Sequence, residues 1–224
     1  MKYNALAALL VFTSLVTLCN PCLADRERPI VTIDGLQLIK DSDLALVYAQ
    51  PGAKLGQYNK IYLVEPYVAF RKNWQQSRKR YDPDTVTADD MAKMKTELSS
   101  LFMQVFSETL EQGGYQLVTE RAEDVLLVKP AIINLDIVAP DIPSVTDVRT
   151  YSESAGEMTL YLELYDSATD DLLARALDRK EDRHTGYFRW QTRVTNRAAA
   201  NRILQVWANV LKQGLDEARG PSIP

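Results

Sequence analysis

Beyond its first 24 residues this chain of 224 has no cysteine, and its whole length holds a single histidine, His184. Zinc and other soft-metal sites are built from Cys and His clusters, so a structural metal of that kind is excluded and no cofactor is expected. Nucleophilic catalysis needs an activated nucleophile beside a base. The only imidazole lies in the polar stretch DRKEDRHTGYF, the chain has no G-x-S-x-G, and His184 is read as an exposed loop residue. Disulfides are absent from the same region, so its own core must hold the fold. Long apolar runs are missing after Leu18, which leaves no later membrane-spanning segment. Internal repeats and low-complexity tracts are missing too.

An apolar run does occur at the start. The opening MKYNALAALLVFTSLVTLCNPCLA has one lysine, an apolar stretch from Ala5 to Leu18 too short to span a bilayer, and a small-x-small ending at Ala24. These are the marks of a secretory signal cleaved after Ala24. Residues 1–24 are therefore read as signal peptide, 25–58 as an extended strap and 59–220 as one α+β domain. The expected product is a soluble periplasmic protein of 200 residues. The alternative is a lipid anchor on Cys19 or Cys22, but Leu18 and Pro21 precede these cysteines where small residues are usual. Without Lys2 the mature chain carries 25 basic and 30 acidic residues, a net charge of −5 with His184 neutral. A nucleic-acid partner is thereby disfavoured.

Periodicity supplies the elements. Asp34-Gly35 and Pro51-Gly52 mark turns in the strap. KIYLVEPYVAF, 60–70, is a strand interrupted by Pro66. Met91, Met94, Leu98, Leu101, Phe102, Val105 and Leu110 recur at three and four residues, predicting a helix capped by Thr87 and stopped by Gly113-Gly114. Strands are predicted over 115–119 and 125–138. EMTLYLELYD alternates strictly, with Met158, Leu160, Leu162 and Leu164 on one face and Thr159, Tyr161, Glu163 and Tyr165 on the other. The turn SATD leads into its hairpin partner LLARALD. A second helix, capped by Thr195 or Asn196, carries Ile203, Trp207, Val210, Leu211 and Leu215 and ends at Gly220-Pro221. The expected fold is a two-layer α+β domain, a mixed and mostly antiparallel sheet with two main helices on one face.

Four segments, PGAKLGQYNKIYLVEPYVAFRKNW, EDVLLVKPAIINLDIVAPD, SAGEMTLYLELYDSATDDLLARALDRKED and VTNRAAANRILQVWA, resemble in that order the bacterial exported proteins and candidate lipoproteins grouped as domain of unknown function 3313. The resemblance covers Pro51 to Ala208. It implies an envelope location and a single α+β domain, and brings no catalytic residue with it.

Four constellations merit weighing. Asp166, Asp170 and Asp171 surround the hairpin turn, but Ala168, Asp171 and Leu177 stand at the third, sixth and twelfth positions of a calcium loop begun at Asp166, and the template fails. Glu157, Glu163, Asp136 and Asp141 are candidate members of a hydrolytic carboxylate pair, which needs a set separation. FRKNWQQSRKRY places Arg71, Lys72, Arg78, Lys79 and Arg80 around Trp74 between a strand and a helix. It is either a solvated connection pinned by the tryptophan or a binding surface for anionic groups. Tyr161, Glu163 and Tyr165 are read as cross-strand packing, with an aromatic docking patch as the alternative. The expected function is that of a non-enzymatic periplasmic accessory protein, with Arg71, Lys72, Trp74, Arg78, Lys79 and Arg80 as partner-binding candidates. Its expected partner is an envelope protein or an anionic envelope surface. The alternatives are a carboxylate-based envelope hydrolase and a carrier of small or lipidic ligands.

Overall fold

The computed structural model describes residues 28–79, 86–137, 151–152, 154–183, 189–190 and 193–220. In chain order these form β1 (Gln37–Ile39), β2 (Leu46–Ala49), a 3-10 turn at Leu55–Gln57, β3 (Lys60–Leu63), β4 (Tyr67–Phe70) and the short α1 (Trp74–Lys79). They continue through α2 (Ala88–Gln112), β5 (Gln116–Leu117), β6 (Val125–Ile137), β7 (Tyr151–Ser152), β8 (Ser154–Asp166), β9 (Leu172–Arg183), β10 (Arg189–Trp190) and α3 (Arg193–Arg219). Residues 1–27, with Cys19 and Cys22, and Arg80, Asp141 and His184, lie outside the described residues.

Eight strands form one mixed sheet in the order β1-β2-β9-β8-β6-β3-β5, with β4 also paired to β6. The pairs from β1 to β6 along this path are antiparallel, whereas β3 and β4 run parallel to β6 and β5 runs parallel to β3. Pro66, which has no N–H to give a ladder, divides 60–70 into two short strands. Lys60–Leu63 line up with Val125–Val128, and Tyr67–Phe70 with Ala131–Leu135, so both pieces follow one side of β6.

The helices form where local signals are strongest. Thr87 and Asp90 make a reciprocal capping box at the start of α2, and Gly114 at φ +79° follows its end. α3 begins at Arg193, so Thr195 and Asn196 stand inside its first turn rather than at its cap. Leu98, Leu101, Phe102, Val105, Phe106 and Leu110 of α2 meet Ile203, Leu204, Trp207, Leu211 and Leu215 of α3 over one sheet face. Phe102 and Phe106 stack with centroids 3.9 Å apart. That face is built by alternate residues of the long strands: Leu126, Val128 and Ile132, then Met158, Leu160, Leu162 and Leu164, then Ala174 and Ala176. Burying each large aliphatic or aromatic side chain contributes roughly 1.5–3 kcal/mol, which is how the core holds where the described residues contain no cysteine.

One carboxylate joins this apolar layer. Asp178, 4% exposed, pairs in register with Leu160; it accepts from Trp207 Nε1 at 2.7 Å and from the backbone N of Ala45 at 3.0 Å, with Lys180 Nζ at 3.2 Å. It ties α3, β9 and the segment before β2 together. The last turn of α3, weakened by Gly214, is held by neighbours. Arg219 lies 3.7 Å over the Tyr115 ring, and Tyr115 donates to Asp216 at 2.9 Å.

Candidate functional site

Both long helices pack on one face of the sheet, and among the described residues no long helix covers the other. The strand pairing lines up side chains from six strands on that second face. Lys129 of β6, Glu163 of β8, Arg175 of β9 and Tyr48 of β2 form one row across four of them. The neighbouring rows bring Tyr62 beside Leu127 and Tyr165, and Tyr67 beside Ala131 and Tyr161. Tyr67 is 67% exposed.

Glu163 is the hub. Its Oε1 accepts from Tyr161 OH at 2.5 Å and Arg175 Nε at 3.0 Å, and its Oε2 from Tyr165 OH at 2.7 Å. Lys129 Nζ stands 4.0 Å from the Tyr165 ring centroid, a cation over an aromatic face. Burial raises the Glu163 carboxyl, but the two hydroxyls and the guanidinium outweigh it and hold Glu163 below its ordinary range. The same geometry acts oppositely on the phenols: burial first, then the hydrogen bond to Glu163, pushes Tyr161 and Tyr165 up to about 12. Raised phenols stabilise the fold fully below their ordinary value near 10 and lose that contribution as pH rises through about 12. Titration of tyrosinate absorbance is accordingly expected to show a late stage around pH 12 that loses amplitude in Tyr161→Phe/Tyr165→Phe. Unchanged late amplitude in that variant would contradict the hub.

A second cluster closes one end of the face. β6 and β8 slip register between Ile133 and Asp136, where Asn134 has φ +53°. Strict alternation from Ile133 would send Asp136 toward the helices; the extra residue of the bulge returns it to the second face, opposite Glu157. There Asp136 accepts from Trp74 Nε1 at 2.9 Å and lies 2.6 Å from Arg71 Nε, while Glu157 pairs with Arg179.

This geometry places the candidate residues of the Phe70–Tyr81 stretch. Arg71 reaches the end of the second face through Asp136, and Lys72 is exposed. Trp74 is 1% exposed and stacks on Phe70 at 4.3 Å, so its candidacy as a partner-contacting ring is corrected: it is an anchor. An indole finds more area to cover, and a carboxylate for its N–H, against the sheet end than in solvent. Arg78 and Lys79 fall at the end of α1, a helix where the sequence suggested an open connection. Gln75 Nε2 donates to Val86 O at 2.6 Å, tying α1 to the approach to α2.

The other constellations resolve differently. Asp136 and Glu157 do meet, but each is already engaged by a guanidinium, as Glu163 is by three donors. Asp166 Oδ1 accepts the N–H groups of Ala168 and Thr169, which is turn chemistry, and Asp170 pairs with Arg121. Among the described residues no three His, Cys, Asp or Glu side chains gather in a way that would hold a metal ion. None of the described helices is long and apolar enough to cross a membrane. The space between helices and sheet, where a carrier would hold a ligand, is occupied by the core side chains.

Sequence reasoning missed Tyr62, Tyr67, Lys129, Arg175 and Arg179. Alternation in EMTLYLELYD marked the polar face of its own strand. Which side chains of other strands join that face depends on pairings across more than one loop.

Among curated proteins none matches the chain. Solved structures give distant likenesses. The PelC dodecamer from Paraburkholderia phytofirmans is 13% identical, with 74% of this chain and 96% of that chain covered at a TM-score of 0.38. A minor lipoprotein from Acinetobacter baumannii is 11% identical, with 70% and 94% covered and a TM-score of 0.32. A DUF4136 family protein from Bacteroides thetaiotaomicron is 11% identical, with 82% and 97% covered and a TM-score of 0.36. Residues 33–211 match the family model described as protein of unknown function, DUF3313, and the chain belongs to that family.

Proposed function

We propose that this chain is an exported, non-enzymatic interaction module of the bacterial cell envelope that docks an acidic protein segment on the sheet face opposite its two long helices. Arg71 and Lys72 form one end of that docking surface, and the basic residues Arg78, Lys79 and Arg80 follow them in the sequence. The observation that carries the reading is the layering of charge. In three ion pairs on this face the cation is the more exposed member: Arg71 at 40% over Asp136 at 22%, Arg175 at 26% over Glu163 at 16%, and Arg179 at 65% over Glu157 at 24%; in a fourth, Arg175 with Asp34, the carboxylate is outermost. A chain that is acidic overall thus turns guanidinium groups outward here, among tyrosines. Tyrosine and arginine are the residue types that dominate binding hot spots, and a cationic outer layer complements carboxylates.

Export, with removal of residues 1–24 and work in the periplasm, is the matching location. Its support is the signal-like opening and the family resemblance. The test is cross-linking and affinity recovery from envelope extract at low and high salt, using the native chain and Arg71→Glu/Arg179→Glu. A salt-sensitive protein partner, lost at least ten-fold in the variant with folding intact, is expected. Equal recovery by both chains would remove this face from consideration. Transfer of binding to anionic vesicles in place of a protein would replace the partner class.

A further inference from the structure

We infer that the outward edge of the Arg175 guanidinium is a carboxylate-binding subsite, filled in this structure by Asp34 of the chain's own N-terminal strap and open to an acidic side chain of the partner in its place. The inference rests on the docking face proposed above and names the chemistry of one position in it. Arg175 directs Nε and Nη2 to Glu163 Oε1, each at 3.0 Å, and Nη1 to Asp34 Oδ2 at 2.8 Å. Glu163 is itself gripped by Tyr161 and Tyr165, so the guanidinium is fixed from below with one edge left facing outward. A forked, immobilised guanidinium loses little freedom when a carboxylate arrives.

Asp34 comes from outside the sheet. It sits in the turn from Thr32 to Gly35, where Gly35 N donates to Thr32 O at 3.0 Å and Gly35 has φ +80°. The strap has other anchors that do not involve this carboxylate. Tyr48 OH donates to Pro29 O at 3.0 Å, Arg28 Nη1 to Ala45 O at 2.7 Å, and Leu36 is buried. The carboxylate can therefore be exchanged while the strap stays. Asp34 is 48% exposed, and ion pairs this open hold their members by about five-fold or less. A partner that adds apolar contact outcompetes it, and Ile30, Val31 and Ile33, all exposed, precede Asp34 in the chain and can supply that contact.

The probe is a terminally blocked tetra-glutamate peptide, titrated at low salt into the isotope-labelled full chain while the Arg175 Nε–H resonance is followed. Asp34→Asn is expected to raise the affinity read at Arg175 about five-fold. Asp43→Asn, an exposed strap position giving the same net charge, is expected to leave it unchanged. Adding Arg175→Gln to Asp34→Asn should abolish the gain, read from the remaining peptide-induced shifts. Should that double variant misfold, Arg175→Lys keeps the charge but loses the fork, and retention of the gain would overturn the subsite. Equal effects of Asp34→Asn and Asp43→Asn would overturn it as well. A gain at Asp34→Asn without any partner lost by Arg71→Glu/Arg179→Glu sinks the docking role and leaves the subsite standing; the reverse result sinks the subsite alone.

Discussion

Trp207→Ala is expected to lower the free energy of unfolding by about 4 kcal/mol. The indole is 1% exposed in the layer between α3 and the sheet, so its removal forfeits apolar burial and leaves a cavity that rigid neighbours cannot fill. It also deletes the N–H that reaches Asp178 at 2.7 Å, and a buried carboxylate that loses a donor bears its desolvation more fully. Domains of this size commonly have only about 5–15 kcal/mol in total. Chemical denaturation should show a fall in midpoint at nearly constant slope. Trp207→Phe, which keeps most of the volume and loses only the donor, should cost about 1–3 kcal/mol. A loss below about 1 kcal/mol in the alanine variant would mean that Asp178 and the α3 contact do not secure the layer.

Gly156→Ala should be nearly as damaging, by a different route. Gly156 has φ +146°, a conformation that side-chain-bearing residues rarely adopt, and a Cβ there would overlap the carbonyl oxygen of Asp136. Strain of about 1–3 kcal/mol and a comparable overpacking term act together, since the obstacle is backbone and cannot rotate away. Gly114→Ala separates the two terms. Its φ is +79° with nothing within 4 Å of the added atom, so it bears the conformational cost alone, about 1 kcal/mol. Comparable stability losses in both variants would show that the β6–β8 ladder yields at this point. Because Asp136 positions Arg71 and Trp74, Gly156→Ala is also expected to loosen the end of the docking face.

Much of the fold is legible in the sequence because its signals are local. The capping box at Thr87, the glycine pair after Gln112 and the alternation from Met158 to Leu164 each act within a few residues, and the elements stand where these place them. The start of α3 is misjudged by three or four residues because two adjacent polar residues, Thr195 and Asn196, mimic a cap. Pro66 announces an interruption, but not that both pieces would run beside one long strand. The site is harder to read than the fold. Glu163 needs Arg175 from the next strand, and Arg175 in turn takes Asp34 from the segment before β1. Asp136 reaches its face only because Asn134 inserts an extra residue, and nothing in the string NLD says so. The burial of Trp74 follows from the nearness of Phe70 and Asp136, one four residues away and the other on a distant strand.

The sheet order has a consequence for the newborn chain. Leu46 pairs with Leu177, and Lys60 with Val125, so beyond the β1–β2 hairpin the first strands to emerge from a ribosome have no ladder to join until much later segments arrive. During that interval β2, β3 and β4 expose Val47, Ile61, Leu63 and Val68 to whatever else is near. Those short apolar runs are the segments on which a holding chaperone is expected to act before the sheet closes, whatever the finished domain goes on to bind.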